Sequence, residues 1–290
     1  WLQQEPSNAI RLFIKDFTLE HKLSYYNVRA HEGLMRNVVI RCNGKGEFMV
    51  IVVINEENDL IRNVMIPEMQ KRFPEIISIM LVINNKFNDI ITDLPFENVY
   101  GEECLVETMK APREGYDDLR FRVGPVSFFQ TNVYQGERLY RAAFDLADVK
   151  GDELMYDLYT GTGTIALYFA RFVKNVVGVE YVEEAIADAK INSEFNNINN
   201  VKFYAGDMAK VFTDEFIEAN GRPDLVVTDP PRAGMHEKVV EQLLKIQPKK
   251  IVYISCNPAT QARDLQLLDT LYEVKAVQPV DMFPHTHHVE

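Results

Sequence analysis

The stretch Ile251-Val252-Tyr253-Ile254-Ser255-Cys256-Asn257-Pro258 carries the strongest indication of the fold. Its first part is short, apolar and rich in β-branched residues, which is typical of a buried strand in a parallel sheet. We expect the strand to end where Cys256, Asn257 and Pro258 follow. Because open α/β sheets bind ligands at the carboxyl ends of their strands, this cysteine is placed where a substrate would bind.

Two earlier strands of the same kind also end in residues that can take part in chemistry. Residues 224–228 run into Asp229-Pro230-Pro231-Arg232, and residues 154–159 run into Thr160-Gly161-Thr162-Gly163-Thr164. From about residue 133, strands alternate with helices, which predicts a Rossmann-like α/β fold, a parallel sheet with helices on both faces. The expected strands are 153–159, 175–180, 201–205, 224–228, 250–255 and 273–278. The expected helices are 134–147, 164–172, 182–195, 236–246 and 258–269.

Residues 1–125 are expected to form a smaller α+β domain that precedes this sheet. Two apolar strands, 36–41 and 48–54, flank Asn43-Gly44-Lys45-Gly46, a sequence that favours a hairpin turn. A helix is predicted to begin near Ile66-Pro67-Glu68, because proline suits the first helical turn. Further strands are predicted at 76–83, 103–109 and 119–123. The predicted domains are therefore 1–125 and 126–290, joined within 125–132.

The composition excludes several classes of protein. The 290 residues are 47% hydrophobic and 26% charged, which fits a globular protein, and no apolar stretch approaches the roughly 20 residues of a membrane span. The three cysteines are too few and too irregular for a disulfide framework or a Cys-x-x-Cys metal site, so we expect a reducing cytoplasm. The formal net charge of −12 argues against broad contact with nucleic acid, so an RNA contact would be a local patch.

The glycine-rich turn after residue 159 indicates a nucleotide-like cofactor without identifying it, and a nicotinamide cofactor is the natural rival. Ala166 stands where the third glycine of the dinucleotide motif would be, and Asp157 precedes the glycines, as is usual for S-adenosylmethionine. Glu180, about 20 residues further on at a strand end, suits a ribose diol. Asp207 is a candidate partner for the adenine amino group or a helix N-cap, and the two roles are compatible.

The glycine turn, the Asp-Pro-Pro and the strand-end cysteine, in that order, resemble the RNA uracil-5-methyltransferase family, which uses S-adenosylmethionine. Uracil C5 is a poor nucleophile until a thiolate adds to C6. The reaction therefore needs a cysteine, a base, a group that holds the uracil edge and a pocket for a flipped base. Asp229-Pro230-Pro231 would also fit N-methylation of adenine or cytosine, which needs no cysteine. RNA 5-methylcytosine enzymes carry a cysteine where Pro-Pro stands here.

The resemblance implies roles for individual residues. Cys256 matches the nucleophile, Glu290 matches the proton acceptor, and Asp229 faces the base. The implied cofactor contacts are Gln130, Tyr159, Gly161, Gly163, Thr164, Glu180, Asp207 and Asp229. Thr160 and Thr164 depart from the family's usual cysteine and asparagine, which affects the contact assignment more than the fold. Three histidines, His285, His287 and His288, are interpreted as pocket walls and not as metal ligands.

The resemblance also implies a substrate and a fragment. The wording Phe283-Pro284-His285-Thr286 is closer to the 23S ribosomal RNA branch, with tRNA as the alternative. The family's N-terminal barrel and last strand have no counterpart here and the chain starts at Trp1, so we expect a fragment in which Glu290 is loosely held. Three cysteines cannot form the four-cysteine iron–sulfur site of some members.

Two rival hypotheses stay open. N-methylation of another base would not depend on Cys256, whereas an RNA-binding or ribosome-assembly module with a vestigial site would bind cofactor without turnover. We expect a cytoplasmic monomer with RNA as its partner and no contact with a membrane. In residues 1–125 the hairpin and four basic residues are predicted to present the RNA. These residues are Arg29, Arg36, Arg41 and Lys45.

Overall fold

The computed structural model describes residues 4–290 and separates them into two compact units. The first unit comprises the described residues up to Glu107 together with Arg122–Val126. The second unit comprises Thr108–Phe121 and Ser127–Glu290. Within residues 4–290, no helix is both long enough and apolar enough to cross a membrane.

The first unit is built on a mixed four-stranded sheet whose second strand is fully buried. Its elements are helix α1 (Ser7–Glu20), strands β1 (Met35–Cys42) and β2 (Phe48–Ile54), a π-helical turn (Ile61–Met65) that continues into helix α2 (Ile66–Arg72), and strands β3 (Ile76–Ile83) and β4 (Glu97–Gly101). The strand order is β1-β2-β3-β4, and only β2 and β3 are parallel. The predicted hairpin and strand 76–83 are confirmed, and Pro67 lies in the first turn of α2 as predicted, although the π-helical turn before Ile66 already has helical backbone.

The predicted strand pair beyond residue 103 is also confirmed. Strands β5 (Leu105–Met109) and β6 (Leu119–Val123) form a two-stranded sheet. Both strands alternate buried and less buried side chains, which is the period of two expected when one face of a sheet is covered.

The second unit contains a parallel sheet flanked by helices, as the alternating pattern predicts, with five of the six expected strands. Its strands are β7 (Leu154–Leu158), β8 (Asn175–Glu180), β9 (Val201–Ala205), β10 (Leu225–Thr228) and β11 (Lys250–Tyr253). Its helices are α3 (Val133–Ala147), α4 (Thr164–Ala170), α5 (Glu183–Phe195), α6 (Met208–Val211), α7 (Asp214–Asn220), α8 (Glu237–Ile246) and α9 (Pro258–Leu268). The short helices α6 and α7 are not among the predicted elements.

The strand order β11-β10-β7-β8-β9 places two motifs side by side. The chain leaves β7 towards β8 and β9 and then returns to the other side of β7 with β10. Leu158 at the end of β7 is level with Thr228 at the end of β10, so the glycine-rich turn and the Asp-Pro-Pro segment begin at the same edge. A reversal of strand order of this kind opens the crevice in which such sheets bind ligands.

Two predictions about strands near the C-terminus are wrong. Residues 273–278 form no strand; Val274 and Val277 stay 53% and 77% exposed, because β-branched composition alone supplies neither a partner strand nor a buried face. Strand β11 ends at Tyr253 and not at residue 255, although the Ile254 N–H still donates to the Thr228 carbonyl at 2.9 Å. Cys256 therefore lies in the turn after the strand.

Candidate active site

The loop after β7 has a backbone conformation that most residues avoid. Tyr159 has a φ of +66°, and Gly161 and Gly163 have φ values of +54° and +81°. The N–H groups of Tyr159 and Thr160 both donate to the Val179 carbonyl at 3.0 Å, which fixes the loop against β8. A Cβ atom on Gly163 would lie 3.0 Å from two side-chain carbon atoms, so glycine is required there. A non-glycine residue at positive φ at such a site is a sign of function.

Glu180 at the end of β8 is held by backbone N–H groups. Its carboxylate accepts from Gly161 at 3.1 Å and from Val182 at 3.0 Å. An ionised carboxylate has about four lone-pair positions, so two such bonds leave room for the hydroxyl groups of a ribose. The contact also links Glu180 directly to the glycine-rich loop, which the sequence could not show.

Asp157, inside β7, is a buried carboxyl group beneath this loop. Its side chain is fully buried and accepts a hydrogen bond of 2.5 Å from the Thr160 hydroxyl. Burial raises the pKa of Asp157 to about 7, and the charges of Asp229 and Glu180 act in the same direction. The carboxyl group is therefore poised between its two protonation states near neutral pH.

The predicted cofactor residue Asp207 caps helix α6. Its carboxylate accepts from the Ala209 N–H at 3.0 Å and forms an ion pair with Lys210 at 3.4 Å. The N-cap interpretation is confirmed, and contact with an adenine stays a prediction.

Three other predicted cofactor residues border the same loop or helix α3. Gln130 is 9% exposed, and its amide donates to the phenol of Tyr140, whose pKa is raised by burial. The Thr164 hydroxyl lies 3.3 Å from that of Thr162, at the start of α4. Burial raises the pKa of Tyr159 to about 12, so its phenol is a neutral hydrogen-bonding group.

Asp229 begins the segment after β10. Its N–H donates to the Leu158 carbonyl at 3.3 Å, which ties the segment to β7. Burial raises the pKa of Asp229 to about 7, with a further contribution from the negative charge of Glu290. The two prolines that follow fix the chain direction and donate no hydrogen bonds.

Cys256 lies in a turn that its neighbours hold rigidly. The Ser255 hydroxyl oxygen accepts from the Asn257 N–H at 3.1 Å, and Asn257 caps α9 by accepting from the Ala259 N–H at 3.2 Å. Burial raises the pKa of the Cys256 thiol, and the charges of Glu290 and Asp229 raise it further. The Arg232 guanidinium opposes this shift through its charge and a hydrogen bond to the sulfur.

Glu290 is better held than we expected from the sequence. Its N–H donates to the Val280 carbonyl at 3.1 Å, and its carbonyl accepts from the Val280 N–H at 2.9 Å. This backbone pair places the side chain where burial raises the pKa of Glu290 and the Arg232 charge opposes the rise. Glu290, Asp229 and Cys256 thus act on one another electrostatically, as a shared site requires.

Arg232 and the groups that fix its loop were not identified from the sequence. The Asn257 side-chain amide and the Thr260 hydroxyl both donate to the Arg232 carbonyl, at 2.9 and 3.2 Å. The buried Asp264 carboxylate accepts from the Met235 N–H at 2.8 Å. These bonds join the loop after β10 to helix α9, so the position of Asp229 is set relative to that of Cys256.

Among residues 4–290, no three His, Cys, Asp or Glu side chains are grouped as metal ligands. The rings of His287 and His288 lie next to each other with centroids 4.3 Å apart, and His285 has a φ of +71°. The other two cysteines, Cys42 and Cys104, lie in the first unit, and the pKa of Cys42 is raised by burial and by Glu107.

Two of the four basic residues predicted to present RNA are turned inwards. The Arg36 side chain is 1% exposed, and its guanidinium donates to backbone carbonyls of the loop after β3. Arg41 donates to two backbone carbonyls at 2.8 and 3.0 Å, and burial lowers its pKa. The prediction is therefore wrong for these two, whereas Arg29 and Lys45 are exposed.

Comparison with known proteins identifies a family for the part of the chain that contains the second unit and relatives for the whole chain. Residues 107–290 match the model of the family described as tRNA (uracil-5-)-methyltransferase. Over its whole length the chain is similar to proteins called uncharacterized RNA methyltransferase, with 53% identity in Bacteroides thetaiotaomicron and 49% in Porphyromonas gingivalis. It covers 63% and 62% of the lengths of those two relatives.

A solved structure shows the same fold. It is the Pyrococcus abyssi tRNA (uracil-54, C5)-methyltransferase in complex with S-adenosyl-L-homocysteine, with a TM-score of 0.77 and 35% identity. The similarity covers 96% of this chain and 64% of that chain. The chain thus spans a little under two thirds of the length of these similar proteins.

Proposed function

Because this chain belongs to the tRNA (uracil-5-)-methyltransferase family, we propose that it transfers a methyl group from S-adenosylmethionine to C5 of a uridine in RNA. The observation that carries the proposal is the grouping of Asp229, Cys256 and Glu290, in which the charge of Glu290 raises the pKa of both Asp229 and Cys256 and the charge of Asp229 raises that of Cys256. N-methylation of a base needs no thiol, so this arrangement favours a carbon atom as the methyl acceptor.

The cofactor position is inferred from Glu180 and the loop after β7. S-Adenosylmethionine supplies an electrophilic methyl group on a positively charged sulfur. Glu180 accepts the ribose hydroxyls with its remaining lone pairs, while the positive φ of Gly161 leaves the loop backbone open to a ligand. Burial raises the pKa values of Asp157 and Asp229 to about 7, so a positive charge bound close to them would favour their ionised forms.

The remaining predicted contacts complete this binding site. Asp207 accepts from the adenine amino group with lone pairs that the helix cap does not use. Gln130, Tyr159, Thr164 and the backbone of Gly163 would hold the rest of the cofactor. The bound S-adenosyl-L-homocysteine of the Pyrococcus abyssi relative supports the cofactor class.

The first chemical step is the addition of Cys256 to the uracil. The thiolate forms a bond to C6, and the electrons of the C5–C6 double bond move to C5 and the C4 carbonyl oxygen. Arg232 stabilises the thiolate against burial and the two neighbouring carboxylates. Asp229, once ionised, accepts from N3–H of the uracil, a donor that cytosine lacks at that position. The C5 carbon then forms a bond to the methyl carbon as the bond between that carbon and the donor sulfur breaks, and S-adenosyl-L-homocysteine leaves as a neutral thioether.

Product release requires a base at C5. Glu290 takes the C5 proton, the electrons of the C5–H bond restore the double bond, and the C6–S bond breaks to return the Cys256 thiolate. A raised pKa makes a carboxylate a stronger base, and burial raises the pKa of Glu290. Its backbone pairing with Val280 holds the side chain at the site.

The RNA substrate is proposed on narrower grounds. The sequence of residues 283–286 supports 23S ribosomal RNA as the substrate, whereas the activity named for the Pyrococcus abyssi relative supports tRNA. Residues 1–125 are proposed to present the RNA. That the protein is a monomer and acts in the cytoplasm stays a prediction.

Methylation of total RNA by the full-length protein tests the function. We expect 5-methyluridine at a defined position of 23S ribosomal RNA, located by mass spectrometry of RNA fragments. Its appearance in tRNA would assign the alternative substrate. A methylated nitrogen, or cofactor binding with no methylated RNA at all, would contradict the proposed function and favour a rival hypothesis.

A further inference from the structure

The first unit carries three neighbouring aromatic rings, Tyr26, His31 and Phe87, which we call the aromatic row. His31 and Phe87 are exposed, whereas Tyr26 is half-buried with the Arg36 guanidinium 3.9 Å from its ring centroid. The ring centroids of Tyr26 and His31 lie 6.4 Å apart, and those of His31 and Phe87 lie 4.3 Å apart. Phe87 is 78% exposed, the highest value among the large apolar side chains of residues 4–290. An exposed phenyl ring packed against a second exposed ring, His31, offers flat aromatic surface of the kind on which bases stack.

The loop that carries Phe87 is fixed from inside the unit. The guanidinium of Arg36 donates to the carbonyl oxygens of Asn84, Lys86 and Asn88 at 2.7, 2.5 and 2.9 Å. The Asn84 side chain adds bonds to the Lys86 N–H and the Asn88 carbonyl, both at 3.0 Å. Arg36 is therefore used to hold a loop whose central residue points an apolar ring outwards.

The loop that carries His31 is fixed in a similar way. The Asn27 side-chain oxygen accepts from the N–H groups of Arg29 and Ala30 at 2.9 and 3.1 Å, and the His31 N–H donates to the Asn27 carbonyl at 2.8 Å. A Cβ atom on Gly33 would lie 2.3 Å from a backbone oxygen, so the loop closes only with glycine. Both sides of the aromatic row are thus preorganised, which lowers the entropy cost of binding.

The chemistry of the row favours a flat aromatic ligand. Unpaired RNA bases stack on aromatic side chains, and such a contact contributes about 1–3 kcal/mol for each base. Nearby charges include Arg29 and Lys86 but also Glu32 and Asp89, so the surface offers no strong field for phosphates. Arg36 and Arg41 bond to backbone carbonyls inside the unit, so a contact that is not ionic would add to what exposed residues such as Arg29 and Lys45 contribute to RNA binding.

We propose that the aromatic row binds an unpaired nucleobase of the RNA substrate by stacking on Phe87. The inference rests on the proposed function only in taking RNA as the partner. Phe87 is exposed and is not part of the hydrophobic core of the first unit, so its replacement should leave the fold intact.

The test measures binding of a short fluorescein-labelled single-stranded RNA to the full-length protein that carries Cys256→Ala, which prevents turnover. We expect Phe87→Ala and Phe87→Leu to raise Kd by about tenfold, and Phe87→Trp to bind as tightly as the parent. Leu19→Ala removes a side chain that is 56% exposed in the same unit and serves as the matched control with unchanged Kd. The salt dependence of Kd should not change in the Phe87 variants, because stacking releases no counterions.

Two outcomes would overturn the inference. Unchanged Kd in Phe87→Ala excludes a role of the row in RNA binding. Normal Kd in Phe87→Leu with weak binding by Phe87→Ala excludes stacking and indicates simple apolar contact. Failure of the proposed function is separate, because it would appear as RNA that binds through Phe87 but gains no 5-methyluridine in the otherwise wild-type protein.

Discussion

The two halves of the sheet edge in the second unit are built on opposite principles. On the β7–β8 side, the loop and Glu180 are joined by backbone hydrogen bonds, and Glu180 is satisfied by two N–H groups. On the β10–β11 side, Asp229, Cys256 and Glu290 all have raised pKa values, and the charge of Arg232 opposes the rise at Cys256 and Glu290. Apart from the buried Asp157 beneath the loop, whose pKa is also raised, one side is a preformed site of backbone groups, and the other is a cluster of groups that disfavour one another's charge.

The difference indicates how binding and chemistry are divided. A cradle of backbone groups can bind a cofactor without reorganisation. Burying several acidic groups together lowers the stability of the free protein. The same raised pKa values make Glu290 a stronger base, and a cation bound nearby would favour the ionised form of Cys256. The comparison predicts that changes on the β7–β8 side affect affinity, whereas changes on the β10–β11 side affect turnover and stability.

The largest expected effect is the loss of the nucleophile on the β10–β11 side. Cys256→Ala should lower methyl transfer by at least about 10⁴-fold, because no bond to C6 can form. The Kd for S-adenosylmethionine, measured by calorimetry, should stay within about twofold of wild type, because Cys256 is not among the proposed cofactor contacts. A tenfold change would correspond to about 1.4 kcal/mol. Cys104→Ala in the first unit is the control. Full turnover by Cys256→Ala would contradict the assignment of Cys256 as the nucleophile.

The next effect is on stability. The pKa of Asp229 in the folded protein, about 7, lies above the ordinary value of 3.8 for an aspartate, so this group stabilises the fold below pH 3.8, and that stability is lost as pH rises through 7. Asp229→Asn removes this loss. We expect its free energy of unfolding at about pH 8 to exceed that of wild type by roughly 2–4 kcal/mol, from about 1.4 kcal/mol for each pKa unit.

Urea denaturation at about pH 8 and about pH 4 measures this difference. The gain should shrink at the lower pH, and methyl transfer should be lost at both. Asp224→Asn is the control, because the pKa of Asp224 is lowered by Lys249 and the Leu154 N–H, so its replacement should destabilise the protein. A less stable Asp229→Asn protein at pH 8 would show that the carboxylate is well accommodated.

A smaller effect is expected on the β7–β8 side. Glu180→Ala should weaken S-adenosylmethionine binding by about tenfold or somewhat more, because the ribose loses a charged acceptor worth about 1.5–3 kcal/mol. With saturating cofactor, the maximal rate should change little. Glu183→Ala alters an exposed glutamate in the first turn of α5 and should bind normally. Unchanged affinity in Glu180→Ala would move the ribose contact to another residue.

What the sequence could predict depends on whether local pattern or tertiary contact decides the feature. Apolar runs in the sequence predict the buried strands of the two larger sheets. The motifs after β7, β10 and β11 can be placed because each directly follows a predicted strand. The same rule fails at 273–278, where Val274 and Val277 find no buried face. Strand β4 is missed for the opposite reason, since its residues are largely polar and only partly buried.

The polar contacts lie further beyond sequence reasoning. Arg36 and Arg29 look alike in the sequence, but one is buried against backbone carbonyls and the other is exposed. Nothing local shows that the Asn257 amide reaches the Arg232 carbonyl or that Gly161 donates to Glu180. Such contacts join residues distant in the chain, and they decide which charged groups are available for function.

The central claim is that Cys256 bonds covalently to the uracil and Glu290 releases it. The most direct test is intact-mass spectrometry of the full-length protein after incubation with S-adenosylmethionine and RNA. We expect wild type to be trapped by RNA that contains 5-fluorouridine, because fluorine cannot leave as a cation, and Glu290→Gln to be trapped by ordinary RNA, with peptide mapping placing both bonds on Cys256. A protein that forms 5-methyluridine while no adduct is trapped, or whose adduct maps to another residue, would contradict the account.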